Sequence, residues 1–338
     1  MDEVSGWWSG AHHEGRGLDV LALADAAGGF RALIDGGYDA LVDAGLEPAR
    51  AARWVSARPL RTAFTAVTLD SPRYSALLKS IPEPPPVLFV DGDVSALSMP
   101  AVAVVGTRSC TSYGSSIARR LGAALAAAGV VTVSGLARGV DAAAHRGAMA
   151  VGRTVAVVGH GLGFTSPASH DGMRSAMVAS GSAVVSTWPD DVRPFPSNFP
   201  IRNRWIAGLA SALVVVEAPV RSGAGITARE AGDLGRPVWA VPGPIGAPAS
   251  EGCNRMLADR SATAVVDVDE LVATLTGASP SAGPEHWLNV LFNGATVDDT
   301  ARRVGCSVSE LLARLSKLEL EGVVVRLPGQ RYAPTGAT

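Results

Sequence analysis

A doubly wound α/β fold with a mostly parallel central sheet is what this sequence predicts, on three observations. Short apolar runs rich in valine recur from residue 101: AVAVVG (101–106), VVTVSG (130–135), TVAVVG (154–159), SAVVST (182–187), ALVVVE (212–217), PVWAVPG (237–243) and TAVVD (263–267). Each run closes on glycine or a polar turn. Stretches of helical spacing such as SSIARRLGAALAAAG lie between them. The runs are continuously apolar rather than alternating, which suits strands buried on both faces, and the intervening helices make right-handed crossovers between parallel strands. Such a core is Rossmann-like, and ligands in it sit at the carboxyl ends of the strands, where turns and helix N-termini gather.

Ahead of the core, residues 18–58 show helical apolar spacing broken by glycines (LDVLALADAAGGF, YDALVDAGL, EPARAARWV), which predicts a small helical bundle rather than strands. Prolines 82, 84, 85 and 86 in SIPEPPPVLFVDGD exclude a helix and lead into a short strand, Val87–Val90. After the last run, TGASPSAGPEH (276–286) has the composition of a flexible connection. The remainder reads helix, short helix, turn, helix and two strands around LPGQ, the order of a winged helix. The expected division is an N-terminal helical region over 1–70, a core over 71–275, a linker over 276–285 and a winged-helix domain over 286–338.

Charge narrows the function classes. The net charge is −2, so overall attraction to a polyanion is absent and distribution matters. Residues 100–282 alone are net positive, with 15 arginines against 12 acids, and that stretch has no lysine. A lysine Schiff base and a Walker-type phosphate site are thereby excluded from the core; GxxxxGK[ST] is missing, and GHGLGF (159–164) ends on Phe164 where a dinucleotide fingerprint needs a small residue. Six scattered histidines and three distant cysteines (Cys110, Cys253, Cys306) offer neither a metal set nor a disulfide framework. No cofactor is expected. No apolar run reaches about eighteen residues, and the acidic start MDEVSGWWSGAHHEGRG lacks signal-peptide order, so the expected location is the cytoplasm with no membrane span.

Strand-end turns carry the candidate site. Gly106, Thr107 and Arg108 leave the first strand before a helix, where backbone N–H groups and a guanidinium can face an anion. Ser134, Gly135, Arg138 and Gly139 follow the second strand; Asp141 and His145, four apart on one helix face, form either an acid–base couple or a helix brace. In FPSNFPIRNRWIAGLA, Arg202, Asn203 and Arg204 are expected to open a helix after Phe199-Pro200. That places a ring for base stacking and two cations for phosphate at a helix N-terminus; the structural alternative buries Phe199 and clusters the arginines on Glu217. Ser222, Gly223 and Thr227 in RSGAGITA make a further anion cradle. Cys253 as a nucleophile has no identifiable base, and no catalytic residue is assigned.

In order along the chain, GTR with T-x-Y-G, SGLARGVDAAAHRGA, FPIRNRWIAGL, VVVEAPVRSGAGITA, GRPVWAVPG and GCNRML resemble the DNA-processing protein A (DprA/Smf) family over about residues 72–335. The resemblance implies a protein that binds single-stranded DNA without cutting it and helps load the RecA recombinase in natural transformation. Its pocket would comprise Arg108, the Ser134–Gly139 turn, and Phe199 with Arg202–Arg204, in a core that commonly homodimerises. The N-terminal helices are similar to that family's SAM-like or helix-hairpin-helix region. GHGLGFTSPASH departs from the family's GxGLDxxYPxxN, with Gly163, Ser166 and His170 replacing Asp, Tyr and Asn. An alternative is a Rossmann-like hydrolase acting on a nucleotide-derived ligand, with Asp141 and His145 catalytic. The winged helix, with six cations against six acids in residues 283–338, suits a partner protein at least as well as duplex DNA.

Overall fold

The structure, a computed structural model, describes residues 2–14, 19–277, 296–304, 306–320, 324–327 and 331–334. Its centre is a nine-stranded sheet. Five strands carry the sequence runs with all their residues buried: β5 (Ala101–Val105), β6 (Val131–Ser134), β7 (Thr154–Val157), β8 (Ala183–Ser186) and β9 (Ala212–Val215). With β10 (Val238–Ala240) and β11 (Thr263–Ala264) they form the parallel part, in the order β11-β10-β9-β5-β6-β7-β8. Beyond β8, β4 (Val87–Gly92) and β3 (Thr65–Thr68) add antiparallel.

The strand order reverses its direction of growth between β5 and β9. After the short α5 (Ala76–Lys79), helices α6 (Ser112–Ala127) and α7 (Val140–Met149) link β5, β6 and β7, and α8 (Asp171–Ala179) links β7 to β8. Then α9 (Asn198–Gly208) returns the chain from β8 to β9, α10 (Gly223–Asp233) follows it, and α12 (Val268–Thr276) follows β11. Right-handed crossovers in opposite directions put the two sets of helices on opposite faces and leave a crevice at the strand ends between β5 and β9. Glycine and alanine let α6 and α7 pack nearly backbone to backbone: a Cβ at Gly147 would lie 3.0 Å from Arg119 Cα, and one at Gly122 2.9 Å from Ala148 N.

At the N-terminal end, α1 (Gly6–Glu14), α2 (Val20–Ala26), α3 (Phe30–Asp43, kinked at Gly37) and α4 (Pro48–Val55) form the expected bundle. Trp54 is fully buried, with Trp7 4.9 Å away. Two short strands depart from the all-helical expectation: β1 (Asp2–Val4) and β2 (Leu60–Thr62) pair antiparallel. The structure also differs from the expected boundary at 70/71. β3 belongs to the large sheet, and one hydrophobic core runs from Val4 to Cys253, so the compact units are residues 1–271 and 272–338. Burying apolar surface across that position joins the helices to the sheet.

In the second unit, α13 (Val297–Val304) and α14 (Val308–Leu320) precede an antiparallel ribbon, β12 (Val324–Leu327) with β13 (Arg331–Pro334). Val297, Ala301, Leu311, Leu315, Val324 and Tyr332 make its core. Ser307 and Glu310 cap α14 reciprocally, the serine hydroxyl accepting Glu310 N–H and the carboxylate accepting Ser307 N–H. Most of the expected linker (278–285), the expected first helix of this unit and the ribbon tip at 328–330 lie outside the described residues.

Candidate nucleic-acid interface

Three turns meet in the crevice between β5 and β9. The first leaves β5 at Gly106, where a Cβ would come within 2.8 Å of Glu217 O and of Val140. Thr107 N–H donates to Glu217 O (2.7 Å), and Thr107 O accepts from Val140 N–H (3.2 Å), so this turn is tied to the chain leaving β9 and to the start of α7 at once. The buried Glu217 carboxylate accepts from Thr111 N–H (2.8 Å) and Thr111 Oγ1–H (2.5 Å). Glu217 therefore fixes the loop that presents Arg108 to solvent, and is not the centre of an arginine cluster.

The second turn follows β6. Ser134 Oγ donates to Val104 O (2.6 Å) and is wholly buried. Asp141 Oδ2 accepts from Gly135 N–H (3.1 Å) and Ala137 N–H (3.2 Å), which shapes the corner. Burial raises the Asp141 carboxyl above its ordinary pKa, while the nearby Arg202 charge and those two amides pull it back. Asp141 and His145 do not bond to each other, contrary to the expected couple or brace. His145 Nδ1 lies 2.7 Å from Thr154 Oγ1, whose own proton goes to Thr132 O, so the imidazole donates through Nδ1. Leu136 takes a positive φ of 55°, rare for a leucine, and its carbonyl meets His170 Nδ1 at 2.9 Å. His170, the replacement in the atypical loop, thus anchors this turn.

The third part is α9, which begins at Asn198 and not at Arg202 as the sequence reading had it; proline at position 200 is tolerated because first-turn N–H groups need no helical acceptor. Phe199 is half-buried. The Arg108 guanidinium lies 5.5 Å from its ring centre and the Arg202 guanidinium 5.8 Å, within cation–π range. Arg202 is only 5% exposed. Its Nη1 donates to Gly135 O (2.7 Å) and Val157 O (2.5 Å), and its Nε to Asn203 Oδ1 (3.2 Å). Burial lowers its pKa to about 10, so it stays charged at neutral pH. Asn203 Nδ2 donates to Gly223 O (3.3 Å), joining α9 to the first turn of α10, and Thr227 Oγ1 donates to the same carbonyl (3.1 Å). Ser222 caps α10 by accepting Gly225 N–H.

Of the residues singled out in the sequence, Gly106, Arg108, Phe199, Arg202, Asn203, Gly223 and Thr227 line one cleft of about 110 Å³. Thr107, Ser134, Gly135, Gly139 and Ser222 build its backbone, and Arg138 is exposed beside it. Arg204 does not join them: its Nη2 donates to Pro82 O (2.8 Å), away from the cleft. Sequence reasoning missed the apolar lining of Val105, Ile206 and Ile226 and the role of His170, none of which carries a local signal. A larger hollow of about 480 Å³ between α10 and α11 (Pro248–Ala258) has balanced charges, Arg229 and Arg255 with Asp233 and Asp259, and holds none of the predicted site residues. Cys253 is buried with its thiol pushed up to about 12, the reverse of an activated nucleophile. The described residues contain no cluster that could hold a metal ion and no helix long and apolar enough to cross a membrane.

The chain is similar to known proteins in sequence and in fold. The family model for DNA recombination-mediator protein A matches residues 65–276, and that for the DprA winged helix domain matches residues 292–330. Protein Smf of Escherichia coli is 38% identical over 283 residues, covering 78% of this chain and 75% of the relative. Protein Smf of Synechocystis is 40% identical over 315 residues, covering 79% of each. Among solved structures, DprA from Streptococcus pneumoniae aligns with a TM-score of 0.66 at 29% identity over 79% of this chain and 97% of that one. DprA from Helicobacter pylori, described for its single-stranded DNA binding mode, aligns with a TM-score of 0.58 at 28% identity over 64% and 97%. A nine-stranded Rossmann-like core with a winged helix after it, matched by both family models and by relatives along most of its length, makes this chain a member of the DNA-processing protein A (DprA/Smf) family.

Proposed function

We propose that this protein is a recombination mediator that binds single-stranded DNA in the β5–β9 cleft, protects it and passes it to RecA. The observation that carries the reading is the Arg108 guanidinium 5.5 Å from the Phe199 ring at the mouth of that cleft. A cation for phosphate beside a face for a base is what an unpaired strand needs, and neither group requires catalysis. The cleft, at about 110 Å³, is smaller than the roughly 300–1,000 Å³ that usually encloses a small molecule, which counts against an enclosed nucleotide-sized substrate. Gly223, where an added Cβ would meet nothing within 4 Å, leaves backbone open to the strand, Gly106, Thr107, Gly135 and Gly139 hold the turns that frame it, and Arg138 adds charge at the edge. The RecA step and a homodimer rest on family membership.

The competing reading, a hydrolase of a nucleotide-derived ligand, needs Asp141 and His145 as a couple. Here one serves two backbone amides and the other a threonine. Fluorescence anisotropy with labelled oligothymidine, against a duplex of equal length and with rising salt, tests the proposal. Binding that prefers the single strand and weakens steeply with salt is expected; salt-insensitive binding, or turnover of nucleotides at the same site, overturns it. Light scattering of the purified chain and RecA filament assembly on coated oligothymidine test the two family-based parts.

A further inference from the structure

Between Gly106 and Arg153 the chain carries six arginines and one acid, Asp141, which is buried under the 134–139 turn. Two of the arginines are paired, Arg120 with Asp269 (2.8 Å) and Arg153 with Asp93 (3.1 Å). The other four, Arg108, Arg119, Arg138 and Arg146, are exposed and have no carboxylate partner among the described residues. They fall into two adjoining pairs. Gly139, next to Arg138, packs on Arg108, where a Cβ would lie 2.8 Å from the Arg108 carbonyl carbon; Gly147, next to Arg146, packs on Arg119, where it would lie 3.0 Å from Cα. Arg146 is the only exposed residue of α7. On α6 the outward residues Ser112, Ser116 and Arg119 follow i, i+4, i+7 spacing and so share one face. Both helices start at the mouth of the cleft. Seven residues of helix carry that face about 10 Å from it.

Asp269 (2.8 Å) and Asp267 (3.8 Å) both face Arg120 and leave these four unpaired; like charges gathered without their own partners raise the local potential, and a polyanion relieves it. We propose that the DNA strand held in the Arg108–Phe199 cleft continues over the α6–α7 face, where Arg138, Arg119 and Arg146 track its phosphates. This extension rests on the cleft reading above. Arginine forks and serine hydroxyls recognise phosphate oxygens and not base edges, so the added contact is independent of sequence.

The test uses the full chain carrying R119Q and R146Q together, with oligothymidines of about 6 and about 20 nucleotides, the longer one exceeding the roughly 4–16 nucleotides of known single-strand sites. For the longer strand, affinity is expected to fall about tenfold and the salt slope to shrink by about 1.4, two phosphates at about 0.7 each. For the shorter strand, both stay as in wild type. A double variant that matches wild type at both lengths overturns the extension. So does an equal loss in the charge-matched control R73Q/R260Q, two exposed arginines outside this face. Failure of the cleft itself reads differently: F199A would then leave both lengths unaffected.

Discussion

Arg202 is bound to Gly135: its Nη1 donates to the glycine carbonyl at 2.7 Å, and the same nitrogen reaches Val157 O. A Cβ on Gly135 would sit 2.7 Å from Arg202 Cζ, so only glycine leaves room for the guanidinium there. An arginine that sequence alone assigns to phosphate is thus the tie between the ends of β6 and β7, lying against the ring that would receive a base.

Replacing Arg202 by alanine orphans two buried carbonyls and removes the counter-charge near Asp141. A loss of stability on the order of 3 kcal/mol is expected, read from urea unfolding. Lysine does not restore it, since a single ammonium lacks the planar fork. An unfolding midpoint equal to wild type would mean the guanidinium is available to ligand and not structural.

Phe199→Ala is expected to weaken oligothymidine binding by about 1–3 kcal/mol, roughly 5- to 150-fold, with little change in unfolding because the ring is only half-buried. Phe199→Trp keeps a stacking face and should retain most of the affinity. Anisotropy on both variants checks this; equal binding by the alanine and tryptophan forms would remove stacking from the account.

Gly139 has φ 75°, and an added Cβ would lie 2.8 Å from the backbone of Arg108. Gly139→Ala should cost about 1–3 kcal/mol and weaken DNA binding together, because it pushes apart the two turns that frame the cleft. Asparagine, which tolerates positive φ only in the left-handed helical region, should not rescue it either, since ψ here is −125° and the collision is with main chain. Rescue by asparagine would place the cost in φ alone.

His145 predicts a pH dependence. Burial, with the charges of His170 and Arg202, pushes its pKa from 6.5 down to about 3. Below about pH 6.5 the unfolded chain takes up a proton that the native imidazole refuses, so its contribution to stability is full above that pH and declines toward pH 3. The slope is about 1.4 kcal/mol per pH unit within that window. Urea midpoints from pH 7 to 4 should fall more steeply in wild type than in His145→Gln; parallel curves would show that His145 is not the group responsible.

The candidate turns were legible because each is a local signal. Gly106 and Gly135 sit directly after strands and Gly223 opens the helix that follows β9, and strand ends fix one rim of the sheet whatever the packing. Arg202 and Arg204 show where local reading stops. They are two residues apart, which on a helix is a rotation of about 200°, so one enters the cleft and the other turns to Pro82. Spacing shows that they diverge; only packing decides which one enters.

By itself the sequence determined the alternation of buried strands and helices, hence the parallel core and the rim at which its turns collect, because periodicity and turn chemistry act over a few residues. Tertiary structure alone decided the partners: Glu217 with Thr111, Asp141 with the Gly135 turn, His145 with Thr154, His170 with Leu136, and the N-terminal helices in one core with the sheet. Those choices depend on which distant elements the sheet order brings together, and a buried polar group bonds to whatever partner that order supplies.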